Sequence, residues 1–135
     1  MIMLDTTACI DFLRGLIDLK EIIDNLDDYL AITTISIYEV NIGLELTKLK
    51  ISINRYNELS KKWYEFLNSI QIFSLGIKEA EKSAQIYSKL NSKGIKIDDN
   101  DILISGIMLS NNISKILTNN VEHFNKIDGI QVIKY

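Results

Sequence analysis

Short apolar runs alternate along this chain with longer stretches in which apolar residues recur every three or four positions. Met1–Leu4 is continuously apolar and stops at Asp5, as expected of a parallel strand covered on both faces. Tyr29–Thr33, Ile70–Phe73, Lys115–Thr118 and Ile130–Lys134 repeat the pattern and predict four further strands. Between them the spacing turns helical. A short helix carries Ala8, Ile10, Phe12 and Leu13, is capped by Thr6 or Thr7, and stops near Gly15. Leu19, Ile22, Ile23 and Leu26 mark a second helix. Thr34–Lys50 forms a third, with Ile37, Val40 and Leu44 facing inward. Ile53–Leu67 is polar on one side and aromatic on the other (Tyr56, Trp63, Phe66). Ile77–Leu90 shows an inward stripe of Ala80, Ala84, Tyr87 and Leu90, and Asp99–Ser110 is so apolar that it must be central. Strands alternating with helices imply a doubly wound parallel sheet, so the expected fold is a three-layer α/β/α arrangement with a central parallel sheet. No linker or repeat interrupts it, and residues 1–135 are expected to form one domain.

Composition narrows the function classes. At 47% hydrophobic and 24% charged residues the chain has enough apolar mass to fold, which excludes disorder. With no proline, the turns fall to Gly, Asn, Asp and Ser. A net charge of −3 supplies no global positive field, so any nucleic-acid contact must use a local basic patch. The one cysteine, Cys9, lies in an apolar helical segment and reads as a core residue, in keeping with a cytoplasmic setting. No signal-peptide pattern is present and no apolar run nears the ~18 residues of a membrane span, so no membrane role is expected.

Acids recur where strands give way to helices. Asp5 ends the first strand, Glu39 lies one turn into the helix after the second, and Asp101 opens the apolar helix. Thr118-Asn119-Asn120 is a fourth polar junction. Each has an ordinary explanation: Ser36-x-x-Glu39 reads as a capping box, Asp98 or Asp99 suits a helix N-terminus, and Thr118 or Asn119 suits an N-cap. Asp101 resists that explanation, because the residues after it are apolar and a buried charge needs a cation or strong donors. As a group the acids would repel one another and raise each other's pKa unless a cation intervenes. Oxygen-rich sites select hard cations such as Mg²⁺ or Mn²⁺, which activate water and neutralise charge at a phosphodiester. A lone His123 and no cysteine cluster make zinc a poor fit, and His123 reads as a surface or packing residue.

Four segments in order resemble the PIN-domain ribonucleases, and within them the VapC-type toxins of type II toxin–antitoxin systems. They are Met-Ile-Met-Leu-Asp5-Thr-Thr, Thr34-Ile-Ser36-Ile-Tyr-Glu39, Ile97-Asp-Asp-Asn-Asp101-Ile-Leu-Ile-Ser-Gly106 and Leu117-Thr118-Asn119-Asn120-Val-Glu-His-Phe124. The resemblance implies a PIN-like fold and an endoribonuclease that uses Mg²⁺ or Mn²⁺ and leaves a 3′-hydroxyl and a 5′-phosphate. It assigns the catalytic and metal-binding roles to Asp5, Glu39 and Asp101, with Thr6, Ser36 and Thr118 as supporting hydroxyls. The fourth acid of many members falls on Asn120, whose carbonyl can ligate or whose amide can orient a water, and one or two metals stay open. Thr7 stands where the family usually has Asn, and Ser105-Gly106 where an alanine pair is usual. Implied partners are an RNA substrate (tRNA or rRNA), a cognate small antitoxin with a basic C-terminal segment, and a second copy in a homodimer.

For RNA contact, Arg14 lies one short helix from Asp5, and Lys48, Lys50, Arg55, Lys61 and Lys62 cluster in the middle helices, where a solvated face explains them equally. Three alternatives stand beside the toxin: a housekeeping PIN nuclease in RNA maturation, an inactive PIN-like module binding RNA or protein, and a phosphoacceptor domain. The last needs a Lys after a late strand, whereas Lys115 precedes its strand.

Overall fold

Leu4 and its neighbours explain the architecture. In a computed structural model covering residues 1–135, β1 (Ile2–Leu4) is buried along its whole length and lies at the centre of a five-stranded sheet. The other strands are β2 (Leu30–Thr33), β3 (Gln71–Phe73), β4 (Lys115–Leu117) and β5 (Gln131–Ile133), in the order β3-β2-β1-β4-β5 and all parallel. A strand in that place has no solvent face, which is why β1 reads as an unbroken apolar run.

Its side chains alternate between two cores. Ile2 and Leu4 join Leu30, Ile32 and Leu117 on one face. There they meet α1 (Thr6–Leu13), α2 (Leu19–Leu26), α3 (Thr34–Lys48) and α4 (Ile53–Ser69), with Trp63 of α4 fully enclosed. The Trp63 indole N–H donates to Asn41 Oδ1 at 3.0 Å, satisfying its polar handle. Met3, Ala31 and Ile116 point the other way, in matching register, against α5 (Ile77–Ser92), α6 (Asp99–Ser110) and α7 (Val121–Phe124). The three-layer α/β/α arrangement expected from the sequence is the one observed. No helix is long and apolar enough to cross a membrane.

Four local expectations need correction. The buried face of α5 is Glu79, Ser83, Ile86 and Leu90, not Ala80, Ala84, Tyr87 and Leu90, and Tyr87 is exposed. The reason lies in α6: a Cβ on Gly106 would overlap Ser83 Oγ and come within 2.9 Å of the Glu79 carbonyl oxygen. The two helices therefore approach through small and polar residues, and apolar periodicity misses such a contact. Glu79 is held there by the Gly76 N–H (3.1 Å) and Asn111 Nδ2 (3.3 Å). Second, Asp5 itself caps α1, accepting from the Thr6 N–H at 2.7 Å, in place of Thr6 or Thr7. Third, Thr33 caps α3 through the Ser36 N–H, so Ser36-x-x-Glu39 is not a capping box. Fourth, Asn120 and neither Thr118 nor Asn119 occupies the N-cap of α7, whereas Asp98 and Asp99 do stand at the N-terminus of α6, without a side-chain cap bond from Asp98.

Gly106→Ala should destabilise the protein by about 1–3 kcal/mol through overpacking between α5 and α6. Urea denaturation of the single variant and of Gly106→Ala/Ser83→Ala checks it. The double variant should regain part of the loss, because one of the overlapping atoms is gone.

Candidate active site

The loops leaving β1, β2 and β4 open at the carboxyl edge of the sheet, where α/β proteins bind ligands. Asp5 stands at the end of β1, and its N–H donates to the Leu117 carbonyl at 3.1 Å, so the β1–β4 ladder fixes its backbone. Its side chain is 2% exposed. Oδ1 takes the Thr6 N–H at 2.7 Å, and Oδ2 accepts from Thr118 Oγ1 at 2.6 Å and from Thr7 Oγ1 at 3.0 Å. Thr7 thus makes a direct contact where the family's usual residue is Asn. It also accepts from the Asn119 N–H at 3.2 Å, tying the β4 loop to α1.

Thr6 links the first acid to the second. Its hydroxyl donates to Glu39 Oε1 at 2.7 Å and lies 3.1 Å from Ser36 Oγ, with Ser36 fully buried. Glu39 itself is half-buried.

Asp101 enters from the first turn of α6. Asn120 Nδ2 donates to its Oδ2 at 2.9 Å, and His123 Nδ1 lies 2.6 Å from the same oxygen. Burial, followed by the negative charges of Asp5 and Glu39, pushes the Asp101 carboxyl up to about 6, although its bond to His123 and the charge of that ring oppose the shift. Hydrogen bonds link the three acids: Thr6 bridges Asp5 and Glu39, and Thr118 joins Asp5 to Asn120, whose amide holds Asp101. Of the cation or strong donors expected for Asp101, the structure shows the Asn120 amide as donor, with His123 Nδ1 in hydrogen-bond contact beside it. The reading of His123 as a surface or packing residue is corrected: it is a half-buried side chain in direct contact with an acid of this site.

Sequence reasoning missed two more residues. Asp11 accepts from Asn119 Nδ2 at 3.2 Å and from the Tyr135 hydroxyl at 2.7 Å, fastening the β4 loop and the last residue to α1. Burial and the bond to Asp11 hold the Tyr135 phenol well above its usual range. Nothing in a linear pattern signals the two contacts, since both cross more than a hundred residues. The spacing of His123 three residues after Asn120, on one helical turn, is the signal that could have found it.

The other sequence-predicted residues fall elsewhere. Arg14 caps the C-terminus of α1 and lines a groove with Leu13, Val40, Leu44 and Leu59, away from the hydrogen-bonded acids. Of the middle-helix cations, Lys62 donates to the Phe12 carbonyl, Lys48 lies over the Tyr56 ring, and Arg55 and Lys61 pair with Glu58 and Glu65.

The model of the PIN domain family matches residues 2–130. This chain belongs to the PIN domain family. Similar solved structures include VapBC2 from Rickettsia felis bound to a promoter DNA fragment, with 25% identity over 100% of this chain and 99% of that one (TM-score 0.80). DNA-bound VapBC from Salmonella typhimurium matches at 24% identity over 99% and 98% of the two chains (TM-score 0.81). FitAcB from Neisseria gonorrhoeae matches at 21% over 98% and 96% (TM-score 0.81). No curated protein matches this chain by sequence. The resemblance drawn from the sequence motifs, to PIN domains of the VapC type, is borne out by the family match and by these neighbours.

The donor set of this PIN domain suits a hard cation. It offers carboxylate oxygens with surplus negative charge, and the Asn120 carbonyl is left over once its amide has bonded Asp101. No three His, Cys, Asp or Glu side chains are grouped as a ready cage.

The raised Asp101 carboxyl sets a pH dependence of stability. Between about 4 and 6 the folded chain binds a proton that the unfolded chain has lost, so stability falls as pH rises through that window and levels off above it. Asp101→Asn avoids the cost of ionisation. In metal-free buffer it should be the more stable protein at pH 7.5, by about 1–2 kcal/mol after allowing for solvent screening, with the gap closing near pH 4. Urea unfolding of both proteins at the two pH values checks this.

Proposed function

We propose that this PIN domain is a metal-dependent endoribonuclease acting as the toxin of a toxin–antitoxin pair. One observation supports the reading: hydrogen bonds join acids of three segments at the carboxyl edge of a PIN sheet, Thr6 bridging Asp5 and Glu39, and Thr118 joining Asp5 to Asn120, whose amide holds Asp101. Asp5 and Asp101 are the residues we assign to hold Mg²⁺ or Mn²⁺, with Glu39 and the Asn120 carbonyl completing the set. Such an ion, when bound, supplies an acidified water and neutralises charge on the scissile phosphate.

The chain's own residues prepare the rest. Thr118, Thr7 and the Thr6 N–H leave Asp5 a single orientation. Thr6 turns Glu39 toward the site, where the half-buried carboxylate is suited to orient the attacking water and accept its proton. Ser36 supports Thr6 from below. His123 and Asn120 hold Asp101 at its outer oxygen and must yield part of that contact when a cation takes the carboxylate.

The toxin assignment rests on the VapBC-type neighbours and on surfaces suited to protein partners. A groove of about 280 Å³ between α1, α3 and α4 is largely apolar, with Arg14 on its lining, and fits a helical antitoxin segment. Tyr38, Ile42, Leu46 and Leu49 are exposed along α3 and its C-cap, an apolar stripe suited to a homodimer contact. A cytoplasmic location follows from this reading, with RNA as substrate.

The purified protein should cleave RNA in Mg²⁺ or Mn²⁺ and stop on chelation. Asp5→Asn and Asp101→Asn should each lower the rate at least a hundredfold, roughly 3 kcal/mol of barrier. Thermal unfolding gives a second readout: Mn²⁺ should raise the melting temperature of the wild type and leave Asp5→Asn unmoved. Equal cleavage by the variants would sink the mechanism. A metal-dependent melting shift without any cleavage would instead favour an inactive binding module.

A further inference from the structure

We propose that a lysine-lined cavity on the α5 face is a subsite for the phosphate backbone of an RNA strand. RNA as the ligand rests on the nuclease reading above; the polyanion site rests on the cavity itself. It encloses about 290 Å³ and is lined by Lys82 and Lys89 of α5, by Lys93 at its C-cap and by Lys126 just past α7. Four of the chain's fifteen basic residues converge there on a molecule of net charge −3, against a single acid, Asp128.

Three of the four lysines are free of any ion pair, and what sets the group apart is that all four line one cavity. Among the middle-helix cations, Lys62, Lys48, Arg55 and Lys61 already hold an internal carbonyl, an aromatic ring or a neighbouring glutamate. Lys89 pairs with Asp128 at 2.5 Å, whereas Lys82, Lys93 and Lys126 have no ion-pair partner. Leu90 and Ile127 form a buried floor beneath them, so no second carboxylate competes from below.

The chemistry of the lining selects the ligand. Lysines are mobile point charges suited to phosphate, and the cavity has neither a guanidinium fork nor an aromatic ring to read or stack a base. Such a site holds a backbone without regard to sequence. Its place ties it to the acids. The Lys126 N–H donates to the His123 carbonyl at 3.2 Å, one turn along, and His123 touches Asp101. Leu109, also in the lining, lies about two turns beyond Asp101 on α6, roughly 12 Å along the helix axis. A strand presented to Asp101 would lay its flanking phosphates across this cavity.

The test uses the full chain carrying Asp5→Asn without metal, so that binding is read apart from cleavage. Anisotropy of a labelled mixed-sequence single-stranded RNA of about 16 nucleotides is followed across a KCl series. Lys82→Ala/Lys93→Ala/Lys126→Ala should weaken binding at least tenfold at low salt. The slope of log K against log salt should become shallower by about 2, the share of three phosphates on a single strand. Asp128→Asn, which frees Lys89, should tighten binding two- to threefold, whereas the remote Asp24→Asn should not. Lys48→Ala/Arg55→Ala/Lys61→Ala serves as the charge-matched control. Unchanged affinity and slope in the cavity variant, or an equal loss in the control, overturns the subsite. Binding of poly-glutamate in place of RNA also overturns it, because the cavity would then belong to an acidic protein partner. Failure of the nuclease reading is separate: RNA binding that depends on these lysines, with no cleavage by the wild type, leaves the subsite standing.

Discussion

A carboxylate that is 2% exposed at the end of the central strand must be met by donors, and the local chain around Asp5 is arranged to supply them. The first comes from the backbone of α1, which begins at Thr6 because Asp5 caps it. The others are hydroxyls from two separate segments, Thr7 on α1 and Thr118 after β4. Satisfying one buried charge therefore closes the β1–β4 junction and aligns the first turn of α1. It also puts the Thr6 hydroxyl where it reaches Glu39. The acid edge is a consequence of how Asp5 is solvated by protein.

Much of this was legible in the sequence, for identifiable reasons. β1 is apolar without interruption because both its faces are covered, and Asp5 is conspicuous because it ends such a run. Asp101 stood out because an acid followed by Ile102, Leu103 and Ile104 cannot remain in bulk water. What escaped detection was contact that periodicity does not encode. The α5–α6 seam is made of Gly106, Ser83 and a capped Glu79, none of which adds to an apolar stripe. His123 looked ordinary because its partner lies on another helix, twenty-two residues away. The polar caps failed in the same way. Ser36-x-x-Glu39 fits the capping pattern, but the helix starts three residues earlier with Thr33 as its cap, and Glu39 accepts from Thr6 instead.

Asp101 shows how the site trades stability for chemistry. Its carboxyl ionises near 6 because burial and two neighbouring acids oppose the charge, while the His123 contact relieves only part of the strain. A group in that condition gains most from a divalent cation, which removes the repulsion among all three carboxylates at once. The partners it has here are an amide and an imidazole. Asn120 suits this arrangement better than a fourth acid would, since another charge at that place would push Asp101 higher still.

The same acids create a difficulty for any polyanion. Phosphates approaching a cluster of carboxylates are repelled, and a cation at the centre offsets that only at the scissile position. The attraction has to come from the flanks, within about 8 Å of the strand, because charges farther off are screened at physiological salt. On a molecule of net charge −3 such attraction cannot be spread evenly over the surface. The lysines on α5, at its C-cap and after α7 line a cavity that contains none of the sheet-edge acids, so the two signs are kept apart. Cutting a backbone requires negative charge where the ion sits and positive charge where the strand lies, and neither field can do its part if the two are mixed.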